Sequence, residues 1–200
     1  LAPCAAAILL ADYWDIGYMA TGTMLESTYI YKGYVYRDFA AVTYWHFWFK
    51  CFKDAGLEIF FPVMPCSEIL NMQILNKNKR MSISCIRGEK KNCNRCYKCY
   101  RKACINGQQP PDSPEAKKIL QQRPLKQGAS LIHSVNKFNL NVPELNSYRL
   151  LQLDWLEDYY ETALELIPDD YKSYLKTELE KYAKPMDDRI KYFDIGFDVG

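Results

Sequence analysis

The chain has 200 residues, 48% of them apolar, and a formal net charge of +2, enough apolar material for an ordinary globular core and too much for disorder to be the default. No run of eighteen uncharged apolar residues occurs, so no segment reads as a membrane-spanning helix, and the apolar opening lacks the basic flank of a signal peptide. The chain begins with Leu at full hydrophobic strength and reads as a piece of something longer.

Residues 2–15 are Ala-rich and predict a helix, and residues 16–22 a short strand ending in Thr21, Gly22 and Thr23. A Tyr- and Gly-containing loop follows. Residues 38–55 are apolar almost all round, which predicts a helix buried between layers and closed by Gly56. In that helix His46 reads as a hydrogen-bonded core histidine, and Cys51 there and Cys4 in the first helix read as small buried hydrophobes. Residues 57–63 form a continuous apolar run of the kind found in strands buried on both faces of a parallel sheet. Strand, helix, strand is a βαβ unit with an expected right-handed crossover, so the fold class is α/β with a parallel sheet.

Ser67 can cap a helix from Glu68 to about Asn76, and Ser113 with Pro114 reads as the cap and first position of another. Between them lie a cysteine-rich knuckle and a polar, Pro-containing linker. Residues 124–143 show no clear period, and His133 there has no cysteine or carboxylate close in sequence. Residues 144–167 and 169–184 have helical spacing, separated by Pro168 and ended by Pro185. The expected division is a partial α/β nucleotide-binding unit at 1–84, a zinc knuckle at 85–104, a linker and irregular segment at 105–143 and a helical region at 144–200.

Charge is unevenly spread: residues 77–102 carry ten Lys or Arg and one acid, whereas residues 144–200 carry fourteen acids and seven bases. The resulting +9 and −7 leave two readings open. The basic segment attracts phosphate or nucleic acid, or it docks on the chain's own acidic helices.

Four of eight cysteines, Cys85, Cys93, Cys96 and Cys99, fall within fifteen positions, which suits a metal site better than a disulfide framework and implies a reducing, cytoplasmic setting. Overlapping CxxC turns present sulfurs to one side of an ion, and a fourth cysteine in a polar, basic loop favours a closed structural zinc site. An iron–sulfur cluster or redox thiols remain the alternatives. Cys66 and Cys104 have no partner by spacing. Ligands of open α/β sheets bind beyond the carboxyl ends of the strands, where this sequence places Thr21, Gly22, Thr23, Glu26, Cys66 and Ser67. An anion at the helix N-terminus after Ser67 is the corresponding expectation.

The residues Ser84-Cys85 and Cys93-Asn94-Arg95-Cys96-Tyr97-Lys98-Cys99-Tyr100-Arg101 resemble the C-terminal zinc motif of the 7-cyano-7-deazaguanine synthase group, within the N-type ATP pyrophosphatase, or adenine nucleotide alpha-hydrolase, superfamily. Phe61-Pro62-Val63 and the segment with Glu68 and Ile69 fit the same layout, so the resemblance spans roughly residues 5–104. It implies an adenine nucleotide alpha-hydrolase-like domain, zinc on the four cysteines, and ATP with magnesium partly walled by Thr21, Gly22 and Thr23. It implies adenylation of a small carboxylate, or of a protein or nucleic-acid substrate, with release of pyrophosphate, and then an amide or nitrile. The group's SGGxDS phosphate loop is not among these residues, and Asn94 stands where a Gly is usual. Two other readings are a zinc-knuckle module binding nucleic acid and a catalytically idle scaffold relative.

Overall fold

The computed structural model describes residues 5–11, 13–80, 85, 87–88 and 92–196. The first helix, α1 (Ala5–Ala11), is shorter than expected, and the remainder of its anticipated N-terminal turn lies outside the described residues. Strand β1 (Tyr18–Ala20) pairs in parallel with β4 (Glu58–Phe60), with Met19 opposite Ile59. Between them run a small antiparallel hairpin, β2 (Ile30–Tyr31) and β3 (Val35–Tyr36), and the crossover helix α2 (Thr43–Asp54). The expected strand, helix and parallel strand are therefore present, in a mixed architecture whose parallel sheet has two strands among the described residues.

The hairpin turn holds Lys32 and Gly33 at φ of 51° and 76°. Positive φ at both central residues matches the right-handed strand twist. A Cβ on Gly33 would meet the Gln127 backbone at 2.5 Å, because the turn docks there: Gln127 N–H donates to the Lys32 carbonyl and Ala129 N–H to that of Gly33.

Helix α2 corrects the sequence reading twice. Residues 38–42 form a turn instead of helix, because the Asp38 carboxylate accepts the Ala40 N–H and diverts the backbone. The helix is also not sandwiched: Trp45 and Phe52 are buried, while Tyr44 and Phe47 are 52% and 59% exposed. A two-stranded sheet gives a crossover helix one face to cover, so Trp48 and Phe49 pack half-buried at the edge of the core while Tyr44, His46, Phe47 and Cys51 stay at the surface. Gly56, at φ 76°, ends the helix by donating to the Lys53 carbonyl, as expected of a C-terminal glycine. Strand β4 stops at Phe60, short of 63, because the chain turns through Pro62 and Pro65.

Helix α3 (Glu68–Lys77) starts where Ser67 Oγ accepts the Leu70 N–H at 3.0 Å. Then come α4 (Tyr97–Ile105), α5 (Pro114–Leu120), α6 (Gly128–Lys137) and α7 (Asp169–Glu180). Helix α6 falls in the stretch that lacked a pattern, and every residue from Gly128 to Val135 is buried. Its buried residues include Ser130 and His133 beside Leu131, Ile132 and Val135, and the partners of those two polar side chains, Glu26 and Glu157, come from distant turns that the local sequence does not show.

The segment expected to be one helix from 144 to 167 is instead three 3₁₀ turns, Pro143–Tyr148, Asp154–Glu157 and Glu161–Leu166. Its backbone bonds outward: Tyr160 N–H donates to the Pro65 carbonyl, Tyr159 N–H to Lys184, and the Tyr159 carbonyl accepts from Met186. A chain threaded between neighbours in this way cannot also close a regular helical ladder. The helix expected over 169–184 is α7, which ends at Glu180, short of Pro185, and is pinned at both ends. Tyr171 stacks on Phe60 with ring centroids 5.2 Å apart, and Tyr18 donates to Asp170 at 2.9 Å. Near its C-terminal end Lys77 Nζ donates to the Lys181 carbonyl and lies over the Tyr182 ring. One contiguous cluster of buried apolar side chains extends from Ala11 to Ile195. No helix among the described residues is long and apolar enough to cross a membrane.

Candidate metal centre and adjoining cleft

The four cysteine sulfurs lie within 4.8 Å of one another, with Cys85 and Cys96 at 3.9 Å and Cys93 and Cys99 at 3.8 Å. Zinc–thiolate bonds of about 2.3 Å in a tetrahedron put sulfurs about 3.8 Å apart, so the cluster is compatible with zinc. All four cysteines are free thiols, and Cys85, Cys96 and Cys99 are buried.

Local chain geometry explains the convergence. Asn94, inside the first CxxC turn, sits at φ 55°, a left-handed conformation open to Gly and tolerated by Asn. Cys96 is the residue before the first turn of α4 and Cys99 lies within that turn. Backbone N–H groups of Cys93 and Arg87 bring the Cys85 thiol down to about 6, and those of Arg95 and Cys96 lower Cys93. Burial pushes Cys99 up to about 12, so a metal on this cluster has to deprotonate that thiol.

The knuckle is tied to the body of the protein at three places. Ser113 Oγ donates to the Arg95 carbonyl at 2.5 Å while accepting the Ala116 N–H at 3.1 Å as the cap of α5. Tyr97 OH donates to the Lys126 carbonyl at 2.8 Å. Arg101 grips Glu68 of α3 through Nε at 2.6 Å and Nη2 at 3.1 Å, with both side chains buried. Ser113→Ala removes a cap and a clamp together, and a loss of about 1–2 kcal/mol in urea unfolding is the expected result. Ser113→Thr, which keeps the hydroxyl, should lose less than half of that.

The basic segment is only partly displayed. Arg101 is turned inward to Glu68, Lys102 is buried, and Arg87 pairs with Glu115. The acids of the C-terminal region pair mainly with neighbouring bases: Glu161 with Lys176, Glu178 with Lys181, Asp154 and Asp187 with Arg189. Docking of the basic knuckle onto those acids through ion pairs is thus not observed among the described residues.

Thr21, Gly22 and Thr23 follow β1 directly, with the two hydroxyls 3.0 Å apart. Gly22 lines a cleft of about 710 Å³ whose walls also include Ser27, Asn71, Lys98, Arg101, Lys102 and Gln127, over an apolar base with Met24, Met72 and Leu75. A Cβ placed on Gly22 would meet nothing within 4 Å. Of the residues expected at the strand ends, Gly22 lines this cleft beside the knuckle helix, whereas Thr21, Thr23, Glu26, Cys66 and Ser67 are not among its lining residues.

The N-terminus of α3, where a bound anion was expected, is instead occupied by the chain's own Glu26. The Glu26 carboxylate accepts the Glu68 N–H at 2.8 Å and the Ser130 hydroxyl. Cys66, beside it, is buried and its thiol is pushed up to about 12, so it takes no part in anion binding. His133, isolated in sequence, meets Glu157 Oε1 at 2.9 Å through Nε2, and Lys137 donates to the same oxygen at 2.5 Å. The carboxylate arrives from a turn twenty-four residues later, beyond any local motif.

A family model, described as a family of unknown function (DUF6395), matches residues 47–191. No curated protein and no solved structure matches the chain.

Proposed function

Since the chain belongs to DUF6395, a family of unknown function, we propose from its own site that it forms the zinc-stiffened wall of an adenine-nucleotide site. The enzyme uses ATP with magnesium to activate a small carboxylate, on an adenine nucleotide alpha-hydrolase-like fold resembling the 7-cyano-7-deazaguanine synthases. A carboxylate oxygen attacks the α-phosphorus, the bond between α and β phosphates breaks, and pyrophosphate leaves. An amine nitrogen then displaces AMP from the acyl adenylate to give an amide, or a nitrile after loss of water. Zinc has no chemical step in this reading and holds α4 in place.

The observation that supports it is the cleft in which Gly22, at the carboxyl end of β1, shares walls with Lys98 and Lys102 of α4. Polyphosphate needs cationic groups where charge accumulates on the leaving pyrophosphate, and Lys98 and Lys102 supply them at the edge where sheet proteins bind nucleotides. The open side of Gly22 lets a phosphate approach backbone. Arg101 is committed to Glu68, and its role is to fix the wall.

Titration calorimetry with magnesium-saturated ATP tests the binding, and pyrophosphate release with a panel of carboxylates tests the chemistry. Lys98→Ala should weaken ATP binding about tenfold, as expected for one charge-assisted contact. Failure to bind ATP, combined with oligonucleotide binding that falls steeply with salt and weakens in Arg95→Ala, would replace this reading with the nucleic-acid one.

A further inference from the structure

We propose that this cleft takes up its anionic ligand together with a proton, held on Glu26 behind the cleft wall, so that affinity falls as pH rises through neutrality. The inference rests on the nucleotide reading of the cleft and adds a regulation of that site.

Glu26 lies in the 3₁₀ turn Leu25–Ser27, between Met24 and Ser27, both of which line the cleft. It is fully buried. Oε1 accepts two hydrogen bonds, and Oε2 has no partner among the described residues. Glu68 and Cys66 face the carboxylate from α3 and the turn before it, Arg101 from α4 and Ser130 from α6; the Gln127 amide donates at 3.4 Å to the Glu26 main-chain carbonyl. Arg101 is the single cation among them, and it is locked on Glu68. An ionised Glu26 is therefore a buried charge with no counter-ion of its own, a state that protonation relieves.

Burial first, and then the neighbouring Glu68 charge, raise the Glu26 pKa from 4.5 to about 7. A phosphate anion entering the cleft brings further negative charge to the other side of the same turn and drives the proton on more firmly. Linkage is reciprocal: whatever factor the anion adds to proton affinity, the proton adds to anion affinity. The protonated form prevails below about pH 7, so binding is strongest there and weakens above it. A change of about fivefold between pH 6 and 8 corresponds to the low end of coupling between sites. Lys102, whose ammonium pKa is lowered by burial, is the other group of the cleft whose titration has to be told apart.

The same shift has a consequence without ligand. The folded pKa is above the unfolded one, so stability falls as pH rises from 4.5 to about 7 and is flat above.

The experiment is calorimetry with magnesium-saturated ATP at pH 6, 7 and 8, in two buffers of different ionisation enthalpy, on wild type and Glu26→Gln. Wild type is expected to take up a fraction of a proton near pH 7 and to lose affinity about fivefold by pH 8. Glu26→Gln is expected to bind with no proton uptake and at constant affinity. Should Glu26→Gln fail to fold, the buffer comparison and the stability profile of wild type carry the test by themselves. Binding without proton uptake, or uptake that persists in Glu26→Gln, overturns the coupling and leaves the nucleotide reading intact. Absence of ATP binding at pH 6 overturns both.

Discussion

Replacing Cys96 by Ser is expected to lower the thermal midpoint by about 10 °C or more, because structural zinc contributes on the order of 10 kcal/mol to the modules it closes, and a protein of this size loses roughly 2–4 °C per kcal/mol. Elemental analysis of the wild type should give about one zinc per chain, the stoichiometry of a four-thiolate site. Cys96 is the hinge of the knuckle, the residue from which α4 starts, and α4 carries both Arg101 and the cationic wall of the cleft. Loss of zinc should therefore loosen α4 from α3 and abolish ligand binding along with the stability. Cys51→Ser is the control, since Cys51 is exposed and outside the cluster, and it should leave the midpoint unchanged. Iron with a visible charge-transfer band, or a metal-free reduced chain that melts at the same temperature, would refute the zinc site.

Glu68→Ala is expected to cost about 3–5 kcal/mol in chemical denaturation, the cost of leaving one partner of a buried ion pair unmatched. Both side chains are under one-tenth exposed, so water cannot replace the lost carboxylate around Arg101. Relief of repulsion on Glu26 offsets a small part of that loss. The double change Glu68→Leu with Arg101→Met should be much closer to wild type in stability, because two apolar groups of similar size need no counter-ion. The difference between single and double variants separates the pair's role in orienting α4 on α3 from its net contribution. A single variant as stable as wild type would mean that the ion pair holds nothing.

The elements legible from sequence were those with local causes. Ser67 and Ser113 are found as caps because a hydroxyl two or three residues before an amide needs no tertiary partner. Gly56 is legible as a helix end for the same reason. The four cysteines converge as their spacing implied, although Cys85 is brought to the others by geometry that no turn rule specifies. The 3₁₀ turns between 143 and 166 and the buried helix α6 were missed because their conformation depends on neighbours. Apolar residues on every face of α2 signalled burial, but the number of layers around a helix is a property of the assembled chain.

By itself the sequence determined the parallel βαβ pairing, the helix starts after Ser67, Ser113 and Pro168, and the set of four cysteines that converge, all of which follow from short-range sterics, hydrogen bonding and spacing. Tertiary structure alone decided which charges are displayed and which are spent. Arg101 counts toward a basic patch in sequence, yet in the fold it is neutralised by Glu68 from a helix thirty-three residues earlier. Glu26 counts in sequence among the strand-end residues that face a ligand, yet it is sealed against Glu68 N–H and Ser130, 104 residues away, with one oxygen unpaired among the described residues. A charge's solvation is fixed by what packs around it, and that packing brings together residues too far apart for any local pattern to connect.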